Sequence, residues 1–291
     1  MLIAEINSAG DLSTIAQYAE TTRLGRDIHQ TGMIGRQGLI DTMHILQKYQ
    51  TIADQYHAEK MTIVGTQVFR LAQNRDDILK TILKKTGLSV EILTAEQEAE
   101  YSFQGAVSGK QISNTLVMDI GGGSTEMIIG ENGVIQNTIS LPVGAVVMTD
   151  QFLKTDPPDP ISCAKLKAYV TDQIPDTWKK QLNINPCLIC VGGTATTLAA
   201  LHLQLKTYDA NQVDGFSLTP QNIQQLLDRF CDCQLKDRQT LLSLDPKRAD
   251  IIIAGTLILQ TILDMTANQN IMISDRGLRY GIGIREFKSF H

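Results

Sequence analysis

Asp119 stands just before a run of three glycines, Gly121, Gly122 and Gly123, and Ser124, Thr125 and Glu126 follow at once. A carboxylate, bare backbone and hydroxyls in one short stretch suit phosphate chemistry. Glycines let phosphate oxygens approach successive backbone N–H groups, which in a turn form an anion-binding nest. A carboxylate beside them can hold Mg²⁺ against the same oxygens. A dinucleotide fingerprint would pass from strand through glycines into a helix. Here Ser-Thr-Glu-Met-Ile-Ile-Gly reads instead as a second strand, with a turn at Glu131-Asn132-Gly133 and a third strand beyond. Taken alone, the glycine run is better read as a hairpin turn that Asp119 merely caps.

A second segment changes that balance. In Cys190-Val191-Gly192-Gly193-Thr194 a buried strand runs through glycines into a helix, whose first N–H groups are free to meet an anion. One hairpin loop and one strand-to-helix loop, both fit for phosphate, describe an actin-like ATPase architecture.

The elements that must position these loops follow from periodicity. Leu2 to Ile6, a turn over Asn7 to Asp11 and an alternating run through Tyr18 to Leu24 form a hairpin. Gln37 to Tyr56 is a long amphipathic helix, Met61 to Thr66 a short buried strand, Asp76 to Lys85 a helix, and Ser89 to Leu93 a strand. Thr94 to Ala106 is helical, with Thr94 and Gln97 fitting a capping box. Strands follow at Thr115 to Asp119, Glu126 to Ile129 and Val134 to Ile139, then a helix from Val143 to Leu153 and a proline-rich surface loop from Thr155 to Pro160. CLICV is a strand, Asp245-Pro246 starts a helix from Lys247 to about Thr266, and IMIS and SDRGLRYGIG close the chain as strand and helix. Strand and helix alternate, so the fold class is α/β with a partly parallel sheet.

At 291 residues, 43% hydrophobic and 20% charged, the chain is ordinary globular material, long enough for two domains. A net charge of -5 offers no global positive field, so neither nucleic acid nor a membrane is the expected partner. No signal peptide or membrane-length apolar run is evident, and a cytoplasmic location is expected. The five cysteines read as reduced thiols; Cys187, Cys190, Cys231 and Cys233 lack the His pair or second C-x-x-C that would complete a zinc site.

DIGGGSTE, with SLPVGAV (Ser140 to Val146), VGGTATTLAAL, RADIIIAG (Arg248 to Gly255) and SDRGLRYGI (Ser274 to Ile282), closely resembles the exopolyphosphatase / guanosine pentaphosphatase family, Ppx/GppA. GTQVFRLAQN (Gly65 to Asn74) is similar to the family's segment with a functional arginine, and TAEQEAEYSFQGA (Thr94 to Ala106) to its E-E-A helix. The resemblance implies two actin-like (ASKHA, ribonuclease H-like) domains, over 1–113 and 114–291, with a cleft between them. It further implies Mg²⁺ and hydrolysis of terminal phosphate from polyphosphate or guanosine pentaphosphate, with a homodimer left open. By position, Glu98 is the base that activates water, Asp119 helps to hold the metal, Gly121 to Thr125 cradle phosphate, and Arg70 touches the anionic substrate. Gly192, Gly193 and Thr194 supply the second phosphate loop. Glu126 either hydrogen-bonds within the site or faces solvent.

Plainer readings stand beside these. Glu96, Glu98 and Glu100 all favour the helix dipole, and Arg70 could be an ordinary surface arginine. Two other function classes stay open: a non-catalytic sensor of the same polyanions, and an actin-like sugar kinase or ATPase. Family members begin with a strand and turn resembling D-x-G-S-N-S-x-R-L, whereas this chain opens at what resembles the second strand. The expectation is therefore a first domain without its first strand, a form of low activity, and no helical HD-type domain.

Overall fold

The computed structural model describes residues 1–7, 12–20, 22, 24–26, 28–182 and 186–288, the side chains of His29 and Lys288 excepted. Contacts divide the chain into two compact units, Met1–Glu98 with Ile282–His291, and Ala99–Gly281. These boundaries differ from the expected break at 113/114. The helix preceding that break packs on the sheet of the second unit, and the chain end is grouped with the first.

In the first unit β1 (Leu2–Ile6) and β2 (Leu12–Gln17) pair antiparallel, Leu2 opposite Gln17 and Ile6 opposite Leu12. Most of the expected turn, 8–11, lies outside the described residues, and the strand stops at Gln17 rather than running on to Leu24. Then come α1 (Ile28–Thr31), α2 (Arg36–Gln55), β3 (Val64–Gly65), α3 (Gln67–Leu71), α4 (Arg75–Thr86) and β4 (Glu91–Ile92). The parallel pair β3 and β4 is shorter than the apolar runs that announced it. Ile28, Ile34, Phe69, Ala72, Ile78 and Ile82 make this unit's core.

Helix α5 (Ala95–Val107) begins in the first unit and ends in the second. Its start is fixed by the expected reciprocal cap: Gln97 N–H donates to Thr94 Oγ1 at 3.2 Å, and Thr94 N–H to Gln97 Oε1 at 2.9 Å. Thr94→Ala should therefore cost about 1 kcal/mol in chemical denaturation; no change would mean that packing alone sets the helix start.

The second unit contains β5 (Asn114–Ile120), β6 (Thr125–Glu131), β7 (Val134–Leu141), α6 (Ala145–Phe152), α7 (Pro160–Gln173) and α8 (Asp176–Leu182). It continues with β8 (Cys187–Val191), α9 (Gly192–His202), α10 (Ala210–Val213), β9 (Ser217–Leu218), α11 (Pro220–Cys231), α12 (Leu235–Leu241), α13 (Ile252–Leu263), β10 (Ile271–Ile273) and the start of α14 (Leu278–Lys288). Its sheet runs β7-β6-β5-β8-β10-β9. β5, β6 and β7 form an antiparallel meander, β8 and β10 add in parallel, and β9 closes the edge antiparallel. Meander followed by parallel strands is the ribonuclease H-like arrangement expected of an actin-like domain.

Alternation along β5 sorts the sheet's two faces. Leu116, Met118 and Ile120 enter the large core that includes residues of α6, α7, α9, α11 and α13. Val117 turns the other way, with Ile128, Ile189 and Val191, onto Ala99, Phe103 and Ala106 of α5. Asp119 lies two residues beyond Val117 and so shares the α5 face.

Within this unit α5 and α14 touch backbone to backbone. A Cβ on Gly105 would stand 2.2 Å from the Gly277 carbonyl oxygen, and one on Gly281 1.9 Å from that of Tyr101.

The helix expected from Lys247 is interrupted. Pro246–Arg248 is a 3-10 turn, and α13 starts only at Ile252. Asp245 makes no side-chain cap, because its Oδ2 takes the Arg248 Nε–H at 2.9 Å. All residues of α13 are buried, in keeping with an apolar run that has no polar stripe.

Candidate active site

β5 and β8 are parallel neighbours with Asp119 opposite Val191, so the loops leaving their carboxyl ends emerge side by side. Ligands of open α/β sheets bind at such ends. Gly192 has a φ of 87°, and a Cβ there would stand 2.7 Å from Asp119 Oδ1. The carboxylate thus rests against bare backbone of the second loop. Ser102, on α5, donates to Asp119 Oδ2 in a long hydrogen bond of 3.4 Å.

The glycine loop is closed by Gly121 N–H donating to the Ser124 carbonyl at 2.9 Å. Its own carbonyls serve the start of α6: Gly121 accepts from Ala145 at 2.9 Å, and Gly122 from Val146 and Val147 at 2.9 and 3.2 Å. A trans peptide sends its N–H opposite to its carbonyl. The N–H groups of Gly122 and Gly123 therefore point away from α6, and among the described residues they have no backbone partner. A Cβ on Gly144 would lie 2.4 Å from backbone atoms of Gly122 and Gly123, so this glycine permits the loop to be pressed onto α6. None of Gly121, Gly122 and Gly123 has a positive φ. Close approach, rather than left-handed backbone, is what demands glycine here.

The side chains after the glycines divide in role. Ser124 is buried. Thr125, expected in the phosphate cradle, is fully buried and donates its hydroxyl to the Val143 carbonyl at 2.5 Å, which holds the hairpin to the segment before α6. Glu126 pairs across the ladder with Asp119 and is 8% exposed, and its Oε1 accepts from Ser140 Oγ at 2.8 Å. Of the two expectations for Glu126, the interior hydrogen bond is the one found.

At the second loop, α9 starts without a side-chain cap, leaving its first N–H groups for another acceptor. Thr194 is buried against α13, where a Cβ on Gly255 would stand 2.5 Å from its Oγ1, so its side chain seats the helix. A Cβ on Gly193 would lie 2.0 Å from Arg248 Cζ. The Arg248 guanidinium therefore covers Gly193, steered by its bond to Asp245. The sequence pattern places Arg248 only at the head of a motif. Its spacing from Asp245, three residues on in a Pro-initiated turn, is the available signal for a positioned cation.

In the first unit the structure brings Arg70 and Glu98 together. Arg70 Nη1 donates to Glu98 Oε2 at 2.7 Å and to the Leu93 carbonyl at 3.0 Å. The side chains are 24% and 17% exposed, so neither is the freely solvated surface charge of the plainer reading.

Asp119 and Glu126, opposite each other on one face of neighbouring strands, are a donor set for a hard cation. Mg²⁺ is commonly held by one or two carboxylates, the rest of its shell being substrate oxygens and water, so these residues fit it. Among the described residues, no group of three or more His, Cys, Asp or Glu is placed to hold a metal ion. All five cysteines are free thiols.

The model of the Ppx/GppA phosphatase family matches residues 2–290. The bifunctional 3-dehydroquinate synthase/phosphatase of Fusobacterium nucleatum is 31% identical over 94% of this chain, which spans 43% of that relative's length. Exopolyphosphatase 2 of Mycobacterium tuberculosis is 29% identical over 89% of this chain and 85% of its own. The crystal structure of the Aquifex aeolicus Ppx/GppA family member superposes with a TM-score of 0.81 at 31% identity, covering 100% of this chain and 94% of that one.

Proposed function

This chain belongs to the Ppx/GppA phosphatase family, and on that premise we propose that it is a hydrolase releasing terminal phosphate from inorganic polyphosphate, guanosine pentaphosphate or both, with Mg²⁺. The observation that carries the proposal is the packing of Asp119 on Gly192, which puts a carboxylate, two outward N–H groups of the glycine loop, the open start of α9 and Arg248 at one end of the sheet.

Phosphoryl transfer asks for positioning and charge stabilisation more than for covalent help. The N–H groups of Gly122, Gly123 and the first turn of α9 hold phosphate oxygens, and Arg248 adds a full positive charge. Asp119 and Glu126 are the protein's ligands for Mg²⁺, which when bound supplies further neutralisation of those oxygens. Glu98 accepts the proton of the attacking water. Arg70, at 2.7 Å, holds the Glu98 carboxylate in place.

The direct test is phosphate release from polyphosphate and guanosine pentaphosphate side by side, with and without a chelator. Release from either that needs Mg²⁺ supports the proposal. Tight binding of both without release would mark a sensor. ATP turnover with an acceptor, and no action on polyphosphate, would mark a kinase.

Two variants probe individual groups. Arg70→Ala should lower kcat by about 10-fold to 100-fold, equally on short and long polyphosphate, since its partner is Glu98; a loss confined to long chains would place the guanidinium on the polyanion instead. Gly193→Ala must displace the end of a flexible Arg248 side chain, and should leave thermal stability nearly unchanged while raising KM about tenfold. An unaltered KM would remove Arg248 from the site.

A further inference from the structure

Three side chains stand in a row across the meander. Asp119 on β5 is opposite Glu126 on β6, and Glu126 is opposite Ser140 on β7, so all three share one face of the sheet. Ser140 Oγ donates to Glu126 Oε1 at 2.8 Å, a normal distance for a hydroxyl donor. Glu126 Oε2 accepts no hydrogen bond among the described residues, and it is not sealed from solvent. The two oxygens are therefore unequal: one is tied to β7 and the other is open. On the reading that Asp119 and Glu126 hold the cation, we propose that Ser140 is a positioning residue that restricts Glu126 to presenting a single oxygen, and so sets the preference of the site for Mg²⁺ over Ca²⁺.

The chemistry of the two cations gives the reason. Ca²⁺ takes six to eight oxygens and readily uses both oxygens of one carboxylate, whereas Mg²⁺ is smaller, keeps several waters and demands near-octahedral geometry. A carboxylate with one oxygen committed to a hydroxyl suits Mg²⁺. To offer both oxygens, Glu126 must give up its bond to Ser140. Glu126 is only 8% exposed, so water is poorly placed to take over that bond.

The backbone fixes this contact. The ladder between β6 and β7 is regular from Thr125 opposite Leu141 to Ile129 opposite Asn137, and its shift comes only beyond that stretch. Thr125 cannot stand in for Ser140, because it faces the other side of the sheet with its hydroxyl on the Val143 carbonyl. The serine that serves Asp119, Ser102, makes a longer bond of 3.4 Å. Ser140 itself is exposed on an edge strand, so shortening it leaves no hole in the core.

The test uses the full chain with Mn²⁺ as the probe, free Mn²⁺ being read by electron paramagnetic resonance and Mg²⁺ and Ca²⁺ by the Mn²⁺ they displace. The wild type should bind Mg²⁺ more tightly than Ca²⁺. Ser140→Ala should weaken Mg²⁺ about tenfold, the scale of losing a group that orients a metal ligand, while Ca²⁺ holds or tightens. Ser140→Thr keeps the hydroxyl on a residue suited to a strand and should bring Mg²⁺ back to within about threefold of the wild type. Equal weakening of both cations, no change in either, or no rescue by threonine would overturn the proposal. Glu126→Gln checks the ligand set separately and should weaken all three cations. If it leaves them unchanged, the ligand assignment falls and the proposal with it; if it weakens them while Ser140→Ala changes nothing, only the role of Ser140 falls.

Discussion

Glu98→Gln should leave binding of polyphosphate within about threefold and reduce phosphate release by about 10²-fold to 10⁴-fold, the usual range for a positioned proton acceptor. The amide keeps the size of the carboxylate and can still accept one hydrogen bond from Arg70, so the 2.7 Å contact is weakened rather than lost. It cannot take a proton from water. The proposed site binds through the glycine loop, α9 and Arg248, none of which the substitution touches. Calorimetric titration with polyphosphate and a phosphate-release assay on the same preparation separate the two effects. Unchanged release would remove Glu98 as the base. Unchanged binding in a chain that releases no phosphate even as wild type would instead describe a sensor.

The second large effect falls on stability. Gly281→Ala is expected to cost about 3 kcal/mol or more, because the new Cβ would lie 1.9 Å from the Tyr101 carbonyl oxygen and 2.5 Å from its carbon. Those are backbone atoms of α5, so no rotamer change can relieve the overlap, and the two helices must separate. Separation also withdraws Phe103, which covers Gly130 of β6, and Ser102, which reaches Asp119. Denaturant unfolding should show the loss, with Gly35→Ala as the control, since a Cβ there meets nothing within 4 Å and the control should stay within about 1 kcal/mol. A Gly281→Ala protein as stable as the wild type would show that α5 and α14 can part without cost.

Much of the second unit is legible in the amino-acid sequence. Continuous apolar runs locate β5, β6 and β8, and alternation locates β7, to within two residues, because strands covered on both faces carry apolar side chains throughout while a half-exposed one carries them at every second position. The glycine run at 121–123 leads from strand to strand, as read, which is enough to set it apart from a dinucleotide fingerprint, and the run at 192–193 leads from strand to helix. The reciprocal cap of Thr94 and Gln97 can be read directly, since its partners are three residues apart and local hydrogen bonds depend on little else. The first unit is less legible: the runs at Met61 to Thr66 and Ser89 to Leu93 give only two-residue strands, since apolar character marks burial and not the length of a ladder.

What the sequence could not supply is which distant groups meet. Nothing in the spacing of Arg70 and Glu98 says that they pair across 28 positions, or that Thr125 turns its hydroxyl from the cradle to Val143. Nor does the composition of the glycine loops show that Asp119 rests on Gly192 and Arg248 on Gly193. Those contacts depend on β8 adding in parallel beside β5 and on the break between Arg248 and α13. Periodicity records whether a side chain is inside or outside; the partner it finds there is fixed only when the packing of whole elements brings two remote backbones within a side chain's reach.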